Sequence, residues 1–270
     1  MMYLSNLMID IGNDPDKPRP GRLWLRDLYR VHQRLCMAFP SASRKENDPD
    51  FLQPYDPKNF RSGEVQQPQH VHNKRQTDAG FLFRIDPMGA GRVMILVQSA
   101  IKPDWDYAFH NARHFLAASP EWKMFDPRQF NAGQVLRFRL LANPTKKTGS
   151  LKKEERQALS KDELKTKEGR HGKRVFVEDK DLAAWLTKRA EGAGFSFNEE
   201  STDIRPGFIY ATLSDSGQRL RSALYEGALE ITDVEKFHAA FIGGIGSAKA
   251  FGFGLLSVMP IRSSIAPGTE

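Results

Sequence analysis

Cysteine is nearly missing: Cys36 is the only one in 270 residues. That excludes an internal disulfide framework and any zinc site built on thiolates. Long apolar runs are missing too, since no stretch of 18 apolar residues occurs that could span a bilayer as a helix. The N-terminal MMYLSNLMIDIG lacks the basic start and apolar stretch of a secretory leader and carries Asp10 instead, so a soluble, cytoplasmic protein is expected. There is no G-x-x-x-x-G-K-[ST] loop for a nucleoside triphosphate. Helix-turn-helix and zinc-finger spacings are also absent, which argues against a sequence-specific DNA-binding protein. No metal or cofactor site is indicated: His70 and His72 stand two apart in a polar stretch with no third ligand in view.

What is present is positive charge, and it is concentrated. The formal net charge is +7, from 40 Lys and Arg against 33 Asp and Glu. Between positions 146 and 174 there are eleven Lys or Arg against five Asp or Glu, an excess of six in about a tenth of the chain. A solvated loop has such a run, and so does a clamp for a polyanion.

The stretch LRDLYRVHQRLCMAF, residues 25–39, predicts an amphipathic helix, because positions 25, 28, 32, 35 and 39 recur at three- and four-residue spacing. Four of the five are Leu or Phe, and the remaining one is His32. Tyr29 precedes it by three residues, on the same helix surface, with Arg26, Arg30 and Arg34 on adjoining faces. An imidazole beside a phenol among cations suits proton transfer near a phosphate; it equally suits a hydrogen-bonded rim of a core.

Around this helix the element order reads strand, helix, strand, strand, helix, strand, the order of a ferredoxin-like fold. The strands are expected at 2–10, 81–85, 93–99 and in WKMFD, with a second helix-like segment in KPDWDYAFHNARHFLAA. The prolines and Gly21 of the connection NDPDKPRPG exclude a helix there. A long polar insert is expected at about 41–78. The second half repeats the order: a strand at 134–142 stopped by Asn143-Pro144, a helix at 181–191 and a hairpin of 208–213 with 220–231. Arg219 and Arg221 project from its second arm, and a helix capped by Asp233 and a closing strand at 251–258 follow. The fold class is therefore α+β, two tandem ferredoxin-like (RRM-like) βαββαβ domains over 1–128 and 129–270.

Gly244, Gly246, Gly252 and Gly254 stand in paired G-x-G units between the last helix and the last strand. Such glycines let a backbone approach another chain closely or offer N–H groups to phosphate oxygens. The dinucleotide fingerprint runs the other way, from a strand into a helix.

The segment GIGSAKAFGFGLLSVMP resembles the C-terminal glycine-rich loop, G-h-G-x5-G-h-G, of the repeat-associated (RAMP) superfamily of CRISPR RNA-binding proteins. Within it the chain is similar to the type I-E repeat-processing endoribonucleases, the CasE family of Cascade nuclease subunits. Tyr29-x-x-His32, VMILVQSAIKPDW, LRFRLLANPTK and GKRVFVEDKDLAAWLTKRAEGAGF carry the rest of the likeness, from Met2 to Pro260. The resemblance implies an antiviral-defence enzyme that cuts CRISPR precursor RNA within the repeat, 3′ of the hairpin, without a metal. It would stay bound to the product RNA and enter Cascade with other subunits, with no membrane involved. The chemistry implied is attack by a 2′-OH on the adjacent phosphorus, giving a 2′,3′-cyclic phosphate and a free 5′-OH. The alternative from the same superfamily is a non-catalytic crRNA-binding subunit.

By the same resemblance His32 is the general acid or base and Tyr29 its companion. Some relatives have a Lys one turn beyond the histidine, where this chain has Cys36-Met37, so Arg26, Arg30 or Arg34 is left to stabilise the phosphorane. RNA binding is expected of Lys146, Lys147, Lys173, Arg174, Arg219 and Arg221, together with Lys249 inside the glycine-rich loop.

Overall fold

In a computed structural model the structure describes residues 1–14, 18–40, 80–148, 173–211 and 219–261. The expected insert at 41–78, its two histidines and most of the basic segment fall outside them, as does the turn after position 211. No helix among the described residues is long and apolar enough to cross a membrane.

The first half builds a four-stranded antiparallel sheet from β1 (Met2–Asp10), β2 (Phe81–Gly89), β3 (Arg92–Ser99) and β4 (Glu121–Phe125). Its spatial order is β2-β3-β1-β4. Side chains alternate along each strand, so one set, with Leu7, Ile9, Phe83, Ile95 and Val97 fully buried or nearly so, faces the helices. Those helices are α1 (Pro20–Leu25), α2 (Leu28–Cys36) and the short α3 (Trp105–Phe109). The opposite set faces the second half.

The second sheet takes β5 (Val135–Ala142), β8 (Phe195–Phe197), β10 (Arg219–Ile231) and β11 (Leu256–Pro260) in the order β11-β5-β10-β8, and β9 (Asp203–Tyr210) pairs with the free portion of β10. Helices α4 (Leu182–Gly192) and α5 (Val234–Gly243) cover it. A core of Leu136, Leu140, Leu186, Phe195, Tyr225, Leu229, Phe237 and Leu256 lies between sheet and helices. Both sheets therefore have the ferredoxin-like order 4-1-3-2, and the molecule is a tandem of that fold.

Three expectations are corrected. Residues 20–25 are helical despite Pro20 and Gly21, because Pro20 stands at the first helical position, where the missing N–H has no intrahelical partner to lose. Gly21 is required there: a Cβ would come within 2.1 Å of Asp10 O. The predicted helix at 25–39 is really two, broken at Asp27, whose carboxylate caps α2 by accepting from the N–H groups of Tyr29 (3.1 Å) and Arg30 (3.2 Å). Such a cap contributes about 1 kcal/mol. β5 ends at Ala142, before Asn143-Pro144 as expected, and a further strand, β6 (Thr145–Thr148), follows and pairs with β7 (Lys173–Phe176) as a separate hairpin. The closing strand starts at Leu256 rather than 251, since residues 251–254 still belong to the glycine-rich loop.

The halves are joined by polar contacts. The Gln98 amide donates to Phe241 O (2.8 Å), and the buried Arg84 guanidinium donates to Ser257 Oγ (2.8 Å). Asp86 holds Arg84 on its own strand (2.9 Å) and faces Arg139 of the second sheet (3.6 Å), which pairs in turn with Glu226 (3.0 Å).

Candidate functional site

The buried stripe of α2 is Leu28, Val31, Leu35 and Cys36, so His32 stands at its edge, half-buried. The imidazole stacks on two rings that alternate along β2: Phe81 at 5.3 Å between centroids and 24° between planes, and Phe83 at 6.3 Å and 22°. Its Nε2 lies 3.6 Å from Cys36 Sγ, one helical turn on. Burial pushes the Cys36 thiol well above its usual range, so it remains S–H. Tyr29, in contrast, is 45% exposed.

The cations in and just before this helix differ in what they do. Arg26 is exposed. Arg30 is exposed and pairs loosely with Asp27 at 3.5 Å. Arg34 turns inward: its Nη1 donates to Ala108 O (2.9 Å) and Asn111 Oδ1 (2.7 Å), which ties α2 to the end of α3. Desolvation lowers its pKa.

The N-terminus of α2 is not an open anion site. Asp27 takes the N–H groups of Tyr29 and Arg30, and Leu28 N–H donates to Ala211 O (3.0 Å) at the end of β9. That bond brings the β9–β10 hairpin to the start of the histidine helix, from the other half of the chain.

The glycine-rich loop links this region to the basic one. Its 3-10 turn Lys249–Phe251 packs against α2 and β2. Gly252 follows at φ +83°, and a Cβ there would lie 3.1 Å from the Phe83 ring. Gly244 and Gly254 close the loop, with Ile245 N–H donating to Gly254 O (2.9 Å) and Gly254 N–H to Leu141 O (2.8 Å). Gly246 packs against Trp185, and the Lys249 ammonium donates to Gly243 O. On the far side Ser247 Oγ donates to Asn143 Oδ1 (3.0 Å), and Asn143 Nδ2 to Arg221 O (2.6 Å).

The expected RNA-binding residues form a second cluster there. Arg174 Nη1 donates to Thr145 Oγ1 (3.1 Å), and Lys146 lies 3.6 Å from Asp181. Lys147 and Lys173 take part in the β6–β7 backbone pairing, opposite Arg174 and Thr148 respectively. The Arg219 guanidinium lies 3.7 Å from the Phe208 ring centroid, and Phe208 meets Phe176 edge-on at 6.0 Å. Arg221 is different from its neighbours: it is buried, ion-paired to Asp179, and 4.9 Å from the Phe208 centroid. Phe176, Phe208 and Tyr210 remain exposed beside these cations, an arrangement of flat apolar faces and positive charge that suits nucleobases and phosphates.

Sequence alone does not mark Phe81, Phe83, Asn143, Ser247 and Phe208 as members of these clusters. The alternation of Phe81 and Phe83 is visible in it, but only the packing of β2 under α2 shows which side chain they carry.

The family model for "CRISPR associated protein" matches residues 2–260. The CRISPR-associated endoribonuclease Cse3 of Thermus thermophilus is 29% identical over 192 residues, 66% of this chain and 79% of that protein. The CRISPR system Cascade subunit CasE of Escherichia coli K12 is 26% identical over 260 residues, 96% of this chain and 100% of that one. Among solved structures, Thermus thermophilus Cse3 bound to an RNA representing a pre-cleavage complex superposes with a TM-score of 0.60 at 26% identity, covering 96% of this chain and 99% of that one.

Proposed function

Because this chain belongs to the CRISPR-associated protein family, we propose that it is an endoribonuclease that cuts CRISPR precursor RNA within the repeat, 3′ of the repeat hairpin. The observation that carries this reading is the position of His32: a half-buried imidazole on a helix packed against the glycine-rich loop, with the basic, aromatic-bearing hairpins tied to the far side of that loop.

The step is a transesterification. The 2′-O–P bond forms as the P–O5′ bond breaks; one group takes the 2′-OH proton and another delivers a proton to the departing O5′. His32 serves as one of these, since an imidazole can accept a proton at one ring nitrogen or donate one from the other. The exposed Tyr29 phenol, one turn earlier, donates a hydrogen bond to the phosphate or orients the nucleophile. Arg26 and Arg30 are the nearby exposed cations for the phosphorane charge, because Arg34 turns toward the end of α3, where its Nη1 bonds Ala108 O and Asn111 Oδ1. Arg174 and Arg219, with Lys146, Lys147 and Lys173, hold the hairpin by phosphate contact, since the major groove of an A-form stem is closed to most side chains. Product RNA stays bound, and the protein enters Cascade with it.

Incubating the protein with repeat RNA in EDTA tests the reading. Discrete cleavage giving a cyclic phosphate, blocked by a 2′-deoxy substitution at the cut and lost in His32→Ala while hairpin binding persists, supports it. Tight hairpin binding with no cleavage assigns the chain to guide-RNA holding instead.

A further inference from the structure

The glycine-rich loop reaches the histidine helix as well as the basic hairpins. Phe83 is fully buried between two neighbours: Gly252, whose missing Cβ faces one ring edge, and the His32 imidazole, near-parallel at 6.3 Å between centroids. A methyl at Gly252 would meet three ring carbons, Cε2 at 3.1 Å, Cδ2 at 3.5 Å and Cζ at 3.6 Å. The first of these is tight enough that the ring must give by a few tenths of an ångström, and the ring has no solvent to move into. The loop backbone cannot retreat freely either, because Gly254 N–H is bonded to Leu141 O and Gly254 O accepts from Ile245.

We propose that Gly252 is a positioning residue for His32, acting through the Phe83 ring: the absent Cβ lets Phe83 keep its near-parallel place beside the imidazole and so helps fix the plane in which it meets the RNA. The inference rests on His32 being the proton-transfer residue. It gives the glycine-rich loop, which belongs to the second sheet, control over a catalytic group carried by the first. Phe81 supplies the nearer stacking face, and Phe39 backs it at 5.4 Å, so the imidazole is held by a series of near-parallel rings rather than by one contact. Gly244 and Gly246 face Leu82 and Trp185 and do not share this task.

Single-turnover cleavage, hairpin affinity and the ring-proton NMR shifts of His32 test it in the full-length protein. Gly252→Ala is expected to lower the cleavage rate at saturating RNA about tenfold to a hundredfold, as misplacement of a reacting group does, with affinity unchanged. The His32 ring protons, displaced by the ring currents of Phe81 and Phe83, should move with it. Phe83→Leu keeps apolar bulk without a flat face and should give a similar loss. The decisive variant is the double substitution, because the leucine in place of Phe83 leaves room for the added methyl: its rate should be no lower than that of Phe83→Leu alone. Losses that multiply, or a Gly252→Ala defect confined to RNA affinity, overturn the inference and make the glycine an RNA contact. If Gly252→Ala does not fold, the His32 shifts and rate of Phe83→Leu decide, and wild-type values for both overturn it. His32→Ala separates the two levels: cleavage that survives it refutes the catalytic assignment, whereas an inactive His32→Ala beside wild-type behaviour of the Gly252 and Phe83 variants refutes only the positioning role.

Discussion

Cys36 Sγ lies 3.6 Å from His32 Nε2, so the one thiol of the chain is a neighbour of the proposed catalytic imidazole and is itself buried. Because burial holds the folded thiol above its usual pKa, its contribution to stability is complete below the unfolded thiol's pKa of about 8.5 and is lost as pH rises from there toward the higher folded value. Native protein is therefore expected to resist iodoacetamide at a pH of about 8 and to label fully in denaturant, as mass spectrometry reads directly. Ready labelling of the native form contradicts the buried position.

Two arginines on one strand should separate in their effects. Arg219→Ala removes an exposed cation above Phe208, and the hairpin affinity should fall while the slope of log K against log salt flattens by about one. Arg221 is only 6% exposed in its side chain and paired to Asp179. Its replacement by Ala should cost about 1–3 kcal/mol of folding stability as well. Urea unfolding beside a salt titration of RNA binding distinguishes the two.

Asp86 neutralises Arg84, whose side chain is 5% exposed, and also faces Arg139 across the two sheets. Asp86→Ala strands a buried guanidinium and should cost on the order of 3 kcal/mol, whereas Arg84→Met, which removes the buried charge, should cost less. A shift in the urea midpoint that is larger for Arg84→Met runs against this account.

Asp233 caps α5, accepting from Lys236 N–H at 3.1 Å, and its pKa is lowered by the hydrogen bond and ion pair with Lys236. The sign follows: the stabilisation is present above the unfolded carboxyl's pKa of about 3.9 and is lost as pH falls through the lower folded value. Asp233→Ala should shallow the acid-side decline of the melting temperature below the unfolded carboxyl's pKa of about 3.9.

Tyr29→Phe tests the exposed phenol. If Tyr29 bonds the phosphate or the nucleophile, the cleavage rate should fall by about one to two orders of magnitude with little change in hairpin affinity, since one hydrogen bond made to a charged group contributes about 1.5–3 kcal/mol. An unchanged rate leaves His32 to act without it.

The doubled βαββαβ order was legible because it is written in local signals: alternation along β1, β3 and β5, and the aspartate cap before α5. His32 and Tyr29 were legible as a pair from helical spacing alone. What spacing could not show was which arginines are already engaged. Arg34 is held by Ala108 and Asn111, 74 and 77 positions away, and no local pattern records such a contact. The same holds for the β6–β7 hairpin, whose strands are four residues each and stand far apart in the chain. Helix α1 escaped because Pro and Gly are read as breakers, although in a helix's first turn Pro is tolerated and Gly21 is needed for close approach to Asp10.

The bond from Leu28 N–H to Ala211 O means that the helix bearing the histidine borrows its first acceptor from the other sheet's hairpin. Cutting the chain in the connection between Phe125 and Val135 would therefore leave that N–H without its acceptor until the second half docked.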